Sequence, residues 1–530
     1  MKKTCFYLLL ILLVGLPLGI ASADATWTVM VYMAADNNLE QCAIDDYEEM
    51  VDASSATSVR IVVQLDRCNG NTTAYYDGWT DTRRFVVDTT SGPYAAAAVQ
   101  ILGEQNMADP DVLKDFIIWA STAYPASNYA LILWNHGSGW RSRASRAGPQ
   151  YAVCWDDTNG GFLYNHQVSD AIVGSGIGDK LKLVGFDACQ MQMLETVYEL
   201  RGLAGVVVGS EENEPGNGWP YTEILDYLVT SYSTATAITF GNKIVEEYGK
   251  WYVAYSPVIA PETTQSCFDM GNLTSVTDAV DALADWIISG SDAWYSGDPR
   301  WLAFSSALDA NAYYGYDTSD ARPYHLDLYQ FAKKLESGLS SGDGARDKCD
   351  TLMQAIEQGI TARWAGTARD TTTIYGSYGL AIYCPPSLEQ LDPAYNEKDT
   401  SYPTDHPVKF VGDHKWDDLL RWYYAPGEKR LPIGIEVSSI KNNVFHRGSG
   451  EKVTVTFAVG ESGKIDGYVF NVAADRIYTI PEQAVTAGDS CQVEWDGYNN
   501  KNKLVAPGVY ILALRLNDKY STNPKVIVLP

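Results

Sequence analysis

The sequence is poor in basic residues, cysteines and long apolar runs, and each shortage excludes a class of protein. It has 39 Lys and Arg against 66 Asp and Glu, a formal net charge of −27, which argues against nucleic acid or an anionic membrane surface as a partner. Nine cysteines in 530 residues do not make a disulfide scaffold, and no Cys-x-x-Cys pair or His/Cys spacing suits zinc. We expect mostly buried free thiols, with one or two disulfides as the alternative.

Apolar residues form one long run, from Phe6 to Ile20. Lys2 and Lys3 precede it and the small residues 21–23 follow it, a pattern typical of a bacterial secretory signal peptide. No later run reaches the roughly 18 apolar residues that span a bilayer. We therefore expect residues 1–23 to be removed from an exported protein that has no transmembrane anchor and is located outside the cell or at the cell envelope.

Five short apolar runs alternate with helical patterns, which predicts an α/β fold. Helices are predicted from Asn37, with Glu40 as the partner in a capping box, from Asp109 as N-cap, and after Cys189. Strand, helix, strand at this rhythm indicates a mainly parallel sheet with helices on both faces. The runs, each typical of a strand buried on both faces, are 27–33, 59–65, 129–134, 181–186 and 205–209.

The pattern changes along the second half of the chain. Helical stretches at 276–288 and 325–337 and a strand at 379–383 extend the mixed α/β pattern, which predicts one domain over residues 24–430. From Leu431 the sequence alternates strands and turns without a helix, which predicts a separate all-β sandwich over residues 431–530.

Two predicted strands end in reactive side chains. The run 129–134 is followed by Asn135, His136 and Gly137, and the run 181–186 is followed by Asp187, Ala188 and Cys189. Because the carboxyl ends of parallel strands lie along one edge of the sheet, we expect His136 and Cys189 to be close. A helix starting at Cys189 would favour the thiolate, and the imidazole could take the thiol proton. The alternatives are a small buried hydrophobic residue and an ordinary loop histidine.

These two blocks carry a resemblance to a known family. NHGSGW at 135–140 and DACQM at 187–191 resemble the clostripain family of cysteine peptidases, which has a caspase-like fold. The resemblance implies that His136 and Cys189 form a catalytic dyad and that the amides of Gly137 and Cys189 form the oxyanion hole. Further similar segments are WTVMVYMAADNNLE (27–40), GSEENEPGNGWPY (209–221) and GLAIYCP (379–385).

Asp187 lies two residues before Cys189, so the two side chains should point the same way from a strand. A carboxylate there would raise the pKa of the thiol unless a cation neutralised it. The resemblance implies that Asp187 binds the Arg or Lys side chain that precedes the scissile bond. The alternative is an aspartate that caps the following helix.

A basic, polar insert separates the two blocks at 141–149. Loops of small exposed residues are favoured cleavage sites, and the resemblance implies maturation by self-cleavage, with Arg141, Arg143 and Arg146 as candidate processing sites. The alternative is a solvated loop.

The sequence itself requires no cofactor, and the resemblance makes calcium possible. Asp156, Asp157 and Asn159 offer oxygen ligands but lack EF-hand spacing, so we predict a solvated acidic loop and no metal site. The segment 491–516 resembles FlgD-like immunoglobulin-type modules, whose partner the sequence does not indicate.

Together these features predict a secreted cysteine endopeptidase that cleaves protein or peptide substrates after Arg or Lys. The alternative is a catalytically silent surface or adhesion protein, in which the α/β domain is a scaffold and the β-sandwich binds.

Overall fold

The computed structural model divides the chain into two compact units, one running to Tyr424 and the other comprising the residues after it. It describes residues 25–53, 55–68, 76–140, 143–145, 148–150, 153–289, 299–309, 311, 313–314, 324–366, 377–385, 387, 391, 395, 408–424, 435–459, 462–473, 475–486, 490–517, 519–520 and 525–529.

The first unit contains both helices and strands. Its strands are β1 (Ala25–Ala35), β2 (Val59–Arg67), β3 (Thr82–Val86), β4 (Gln100–Gly103), β5 (Ala126–Trp134), β6 (Arg143–Ser145), β7 (Gly148–Gln150), β8 (Val153–Asp156), β9 (Gly161–Leu163), β10 (Leu181–Asp187), β11 (Val206–Gly209), β12 (Thr264–Asp269), β13 (Tyr313–Tyr314), β14 (His325–Asp327), β15 (Ile360–Ala365) and β16 (Ala381–Tyr383). Its helices are α1 (Glu40–Asp52), α2 (Pro110–Ala123), α3 (Asn165–Ser175), α4 (Leu194–Glu199), α5 (Tyr221–Ser231), α6 (Ala237–Tyr255), α7 (Leu273–Ser289), α8 (Pro299–Asp309), α9 (Leu328–Gly338), α10 (Ala345–Gly359), α11 (Lys409–Asp413) and α12 (Trp416–Tyr424).

A nine-stranded sheet organises this unit, in the order β15-β12-β11-β10-β5-β1-β2-β3-β4. The five predicted apolar runs form its central strands, which are parallel to one another. Antiparallel strands flank them on both sides. The predicted parallel core is therefore confirmed, and the edge strands make the whole sheet mixed. A smaller sheet contains β13, β14 and β16.

Alternate side chains of the central strands enter two different cores. Along β1, Met30 and Tyr32 lie in one core with α2, α3, α7, α9 and α10. Val29 and Val31 lie in the other with α1, α5 and α6. This alternation follows from the twofold period of a strand, and it explains why the strands are apolar throughout. The prediction of helices on both faces is confirmed.

Of the predicted helix starts, the one at Asn37 is wrong and the one at Asp109 is confirmed. Helix α1 begins at Glu40 and not at Asn37, because the Asn37 side chain accepts the Leu39 N–H at 2.8 Å and forms a separate turn before the helix. The Glu40 carboxylate pairs with buried Arg67 at 2.8 Å instead of capping. At α2, Asp109 accepts the Asp111 N–H at 2.8 Å, as an N-cap should.

The second wrong helix start lies at the stretch 325–337. Residues 325–327 form strand β14, which pairs antiparallel with β16, and α9 begins only at Leu328. The pairing of β14 with a strand distant in sequence overrides the local helical pattern. The predicted helix at 276–288 lies within α7, and the predicted strand at 379–383 contains β16.

The second unit is rich in strands. Two sheets, β17-β19-β22 and β18-β25-β23-β20-β21, share one apolar core that includes Val455 and Leu512. This is the layering that a sandwich requires, whereas the immunoglobulin-like type stays a prediction. The strands are β17 (Ile435–Lys441), β18 (Val444–His446), β19 (Val453–Val459), β20 (Gly463–Asn471), β21 (Arg476–Val485), β22 (Ser490–Trp495), β23 (Gly508–Leu516), β24 (Lys519–Tyr520) and β25 (Lys525–Leu529).

The cysteines after the predicted signal peptide are all free, so the alternative of one or two disulfides is wrong. Among the described helices, none is long and apolar enough to cross a membrane.

The two-sided burial of the central strands makes a prediction about stability. Ile132 of β5 is 0% exposed, so Ile132→Ala should lower the free energy of unfolding of the first unit by about 2 to 5 kcal/mol. Ile101 of β4 is 62% exposed, and Ile101→Ala should change it by less than about 0.5 kcal/mol. Denaturant titration followed by tryptophan fluorescence measures both values. Equal losses would contradict the assigned burial.

Candidate active site

The ends of β5 and β10 lie side by side. The two strands are parallel neighbours, and Trp134 pairs with Asp187 at their last positions. The Asn135 N–H donates to the Asp187 carbonyl at 3.2 Å, which extends the contact beyond the strands. The segments that carry His136 and Cys189 therefore start from adjacent points on one edge of the sheet, as parallel pairing leads us to expect.

Gly137 brings the loop of His136 onto the backbone of Cys189. A Cβ added at Gly137 would lie 2.9 Å from the Cys189 nitrogen and closer still to its carbonyl oxygen, so only glycine fits without displacement. The Gly137 N–H lowers the pKa of the Cys189 thiol. The Glu214 N–H donates to the Cys189 Sγ at 3.3 Å. Backbone N–H groups from two loops therefore act on the sulfur.

The imidazole of His136 has its own partners. Its Nε2 lies 2.9 Å from the Asn38 side-chain oxygen, and its ring packs edge-on against Trp155 with centroids 5.7 Å apart. Burial lowers the pKa of His136, while the charge of Asp157 raises it by less. The imidazole is therefore neutral at neutral pH and can accept a proton.

The prediction that a helix begins at Cys189 is wrong. Helix α4 begins at Leu194 and has only six residues. Gln190 adopts a left-handed conformation with φ of 61°, and its N–H donates to the Glu212 carbonyl at 3.0 Å. The segment after β10 therefore pairs with the segment after β11 instead of coiling. The thiol has no helix N-terminus to favour its thiolate.

The Cys189 thiol is held in its protonated form. Burial, together with the charge of Glu214, raises its pKa to about 12, although the N–H groups of Glu214 and Gly137 oppose the shift. The described hydrogen bonds of the sulfur go to the backbone, and that of the imidazole goes to Asn38. The structure is thus a state in which the thiol and the imidazole lie on neighbouring loops without a hydrogen bond between them in the described contacts.

The Asp187 side chain is buried, two residues before Cys189 in the chain. Its Oδ2 accepts the Tyr221 hydroxyl at 2.9 Å and the Trp219 N–H at 3.3 Å, and the residue is 4% exposed. No helix starts nearby for it to cap, because α4 begins at Leu194. The alternative that Asp187 is a helix cap is therefore wrong.

Two further carboxyl groups converge on Asp187. A Cβ added at Gly218 would lie 3.0 Å from an oxygen of both Asp187 and Asp46, and Gly218 has a φ of +56°. Asp46 accepts the Trp134 indole N–H at 2.6 Å. The Glu214 side chain lies within hydrogen-bonding reach of Asp187. We call Asp46, Asp187 and Glu214 the acidic pocket.

The three acids of the acidic pocket cannot all be ionised while they are buried together. Burial raises the pKa of Asp187 to about 6, even though hydrogen bonds from Tyr221 and Trp219 oppose the shift. Burial and the charge of Asp187 raise the pKa of Asp46 and of Glu214 well above the usual range. A buried guanidinium or ammonium would reverse these shifts, because an opposite charge favours the ionised carboxylates.

Sequence reasoning missed Asp46, Glu214 and Asn38. Asp46 had a signal, since it lies on the apolar face of α1 between Ala43 and Met50, where a carboxylate is unexpected. Glu214 lies in the segment 209–221, whose resemblance pointed to the family but to no residue. Asn38 offered no local signal, because its contact with His136 joins residues 98 positions apart.

The predicted processing loop is partly described, and the predicted acidic loop is described in full. Arg143 lies in β6, which pairs with β7 as a short hairpin, and Arg141 and Arg146 lie outside the described residues. Beyond the hairpin, Val153 forms a bridge with Gly137. Asp157 and Asn159 are exposed, as predicted for a solvated loop. Asp156 is 2% exposed, so that prediction is wrong for it. The cause is that its carboxylate accepts the N–H groups of Met107 and Asn159.

The chain matches the same family in two comparisons, one with a family model and one with a single relative. The model of the clostripain family matches residues 31–423. Clostripain of Hathewaya histolytica is 25% identical over 400 residues, which cover 68% of this chain and 74% of that protein.

Two solved structures share the fold. One is a secreted C11 cysteine protease from Bacteroides thetaiotaomicron, in complex with an irreversible peptide inhibitor, at 18% identity and a TM-score of 0.51, over 73% of this chain and 99% of that one. The other is an inactive zymogen C11 protease from Parabacteroides distasonis, at 17% identity and a TM-score of 0.50, over 76% of this chain and 99% of that one.

The raised pKa of Cys189 makes a prediction about its reactivity. Alkylation of Cys189 by iodoacetamide should accelerate about tenfold per pH unit from about pH 7 to 10, because the reactive thiolate remains a small fraction throughout. Mass spectrometry of the Cys189 peptide after timed quenching measures the rate. The same peptide in the denatured chain is the control, and its rate should level off near a pKa of about 8.5. A plateau for the folded protein at that pH would contradict the assignment.

Proposed function

Because the chain belongs to the clostripain family of cysteine peptidases, we propose that it is an exported endopeptidase that cleaves peptide bonds after arginine or lysine. One observation carries this proposal. The backbone of Glu214 contacts the Cys189 sulfur at 3.3 Å, while the Glu214 side chain joins Asp187 in the acidic pocket. Glu214 therefore contacts both the proposed nucleophile, Cys189, and the proposed receptor for a cationic side chain, Asp187.

In the proposed reaction, the Cys189 sulfur attacks the carbonyl carbon of the scissile bond while its proton passes to His136. The imidazolium then gives this proton to the leaving amine, the carbon–nitrogen bond breaks, and a thioester remains. Water loses a proton to the imidazole, attacks the thioester and releases the carboxylic product and the thiol. Since Nε2 contacts Asn38, Nδ1 is the nitrogen that would carry the proton.

The proposed oxyanion hole consists of the Gly137 and Cys189 amides. The approach of Gly137 to the Cys189 backbone, where an added Cβ would lie 2.9 Å from the Cys189 nitrogen, supports this role, since the oxyanion forms within a bond's length of the carbon that the sulfur attacks. Preorganised backbone donors of this kind stabilise the charge that develops in the transition state. The close backbone approach of Gly137 to Cys189 would position both amides together.

Asp187 is proposed to bind the basic side chain, with Asp46 and Glu214 beside it. A guanidinium carries five N–H donors and could satisfy several carboxylate oxygens at once. An ammonium would satisfy fewer but would bring the same charge. The mutual repulsion of the acids in the empty pocket would be relieved in either case.

We further propose that the chain matures by self-cleavage after Arg141, Arg143 or Arg146. The protonated thiol and its separation from the imidazole support a latent precursor. The insert also joins the His136 loop to Val153, which bridges Gly137, so a cut there would loosen this loop and let the imidazole turn towards Cys189. Export would follow from the signal peptide predicted at 1–23, which lies outside the described residues. We assign the β-rich second unit a binding or anchoring role.

The first test removes the nucleophile. Cys189→Ala should lower the turnover of Arg- and Lys-terminated reporter peptides by at least about 10³-fold, because no other group can form the thioester. Cys491→Ala, a free cysteine of the second unit, is the matched control and should retain full turnover. Equal turnover in the wild type and Cys189→Ala would end the proposed mechanism.

The same preparations test maturation. Mass spectrometry should find the active protein cut within 141–149 and the Cys189→Ala chain intact. An active enzyme with an uncut chain would exclude self-cleavage as a requirement.

A second test addresses specificity. It compares the kcat/KM values of two peptides on the same preparation, so the fraction of folded enzyme cancels from their ratio. Wild-type enzyme should prefer a peptide with arginine before the scissile bond over the same peptide with citrulline, its neutral analogue. Asp187→Asn should reduce this ratio of kcat/KM values by about 30-fold or more, because it removes the charge partner of the guanidinium. Asp45→Asn, an exposed neighbour of Asp46, should leave the ratio unchanged. An unchanged ratio in Asp187→Asn would exclude Asp187 as the receptor.

A further inference from the structure

A second pocket lies apart from the acidic pocket. Its walls come from α9, α10 and β15 and from Tyr378, which precedes β16. It encloses about 300 Å³, which is at the lower end of the range of small-molecule sites. Part of its lining is apolar and consists of Ile356, Ile360 and Ala362. The pocket is therefore large enough for one small ligand that has an apolar portion.

Two stacked tyrosines carry the charged groups of this pocket. The rings of Tyr329 and Tyr378 have centroids 3.8 Å apart and planes inclined by 21°. The Tyr329 hydroxyl donates to Oε1 of Glu357 at 2.7 Å. The guanidinium carbon of Arg363 lies 4.2 Å from the centroid of the Tyr378 ring. An acid thus contacts one tyrosine and a base contacts the other. We call Tyr329, Tyr378, Glu357 and Arg363 the tyrosine pocket.

Two buried carboxylates hold the backbone at Tyr378 in place. The Tyr378 N–H donates to Oδ2 of Asp327 at 2.5 Å, and the next N–H, that of Gly379, donates to Oε2 of Glu211 at 2.9 Å. Asp327 and Glu211 are 0% and 1% exposed. Lys333 also donates to the Tyr378 hydroxyl at 3.4 Å. The fold therefore fixes this wall in advance, which reduces the entropy that a ligand loses in ordering it.

The two charges of the tyrosine pocket do not neutralise each other. Glu357 and Arg363 are both exposed, and neither forms an ion pair within the described part of the chain. Both nevertheless act on one hydroxyl. Burial raises the pKa of Tyr329 to about 12, Glu357 adds to this shift and Arg363 opposes it. A carboxylate and a guanidinium therefore line one small pocket, too far apart to pair with each other.

We propose that the tyrosine pocket binds an arginine or lysine residue at the carboxyl terminus of a peptide. Its carboxylate would pair with Arg363 through parallel hydrogen bonds, and its cationic side chain would pair with Glu357. The alkyl stem would lie against the apolar wall and the tyrosine rings. A zwitterion without a basic side chain fits less well, because its ammonium lies beside its own carboxylate whereas Glu357 and Arg363 are separated.

Such a carboxyl terminus is the product that the proposed peptidase would release. The identity of the ligand as a product of this chain therefore rests on the proposed function. The capacity of the tyrosine pocket to bind it does not, because the pocket contains no residue of the candidate active site.

Binding is tested with the full-length chain carrying Cys189→Ala and Asp187→Asn, which lacks both the nucleophile and the proposed receptor of the acidic pocket. Isothermal titration calorimetry compares N-acetylarginine with its carboxyl-terminal amide. The tyrosine pocket should bind the carboxylate about threefold or more tightly than the amide, as expected for an exposed ion pair. The acidic pocket would prefer the amide, because its own charge repels a carboxylate. The sign of the preference therefore identifies the pocket.

Two variants in this background test the two charges. Arg363→Gln should abolish the preference for the carboxylate over the amide. Glu357→Gln should abolish the preference for N-acetylarginine over N-acetylcitrulline, two ligands that both carry the carboxylate. Asp350→Asn, which changes another exposed acid of α10, is the matched control and should alter neither preference. A parent chain without these preferences, or a variant that keeps the preference it should lose, would overturn the proposal.

Free arginine separates the two sources of the ligand. It should bind no more tightly than N-acetylarginine, because a peptide terminus has no free ammonium at this residue. Tighter binding of free arginine would contradict a peptide terminus as the ligand. Absence of turnover of the arginine reporter by the wild-type chain would count against the proposed function, while the calorimetric preferences would still decide the tyrosine pocket.

Discussion

The parallel pairing of β5 with β10 is the constraint on which the candidate site depends. With Trp134 opposite Asp187, the residues that follow each strand leave the sheet at neighbouring points. Gly137 can then lie against the Cys189 backbone, which no residue with a Cβ could do without displacement. A slip of one residue would turn each side chain to the other face of the sheet, so the buried apolar faces of both strands also fix the geometry of the site.

Buried negative charge is the second organising feature of this edge of the sheet. The acidic pocket and a group formed by Asp36, Asp66 and Glu104, whose carboxylate oxygens lie within 4.8 Å of one another, both bury carboxylates that side chains of the chain do not fully neutralise in the described structure. Burying these carboxylates costs free energy, and the burial of the large apolar cores on the two faces of the sheet must offset that cost. A positive charge from outside the chain would complete such a group, as we propose for a basic substrate at the acidic pocket.

The thiol is held in an unreactive form by the same burial that shapes the pocket. No helix N-terminus reaches Cys189, since Gln190 turns the chain in the left-handed conformation towards Glu212. We propose that activation comes from the imidazole or from a rearrangement of the loops. The bridge between Gly137 and Val153 ties one of these loops to the end of the basic insert. This arrangement is physically suited to control by cleavage of the insert.

The sequence by itself determined the central strands and the parallel core, because these depend on local periodicity, and its blocks 135–140 and 187–191 singled out the two candidate reactive side chains. The sequence was a poor guide to where helices begin. No helix begins at Asn37 or at Cys189, since other hydrogen bonds compete there with the helix. Only the tertiary structure decided that Asp46 and Glu214 join Asp187, and that Asp36, Asp66 and Glu104 meet. The physical reason is that such contacts depend on the order of strands in the sheet and on how the loops cross its edge, which no local pattern of residues encodes.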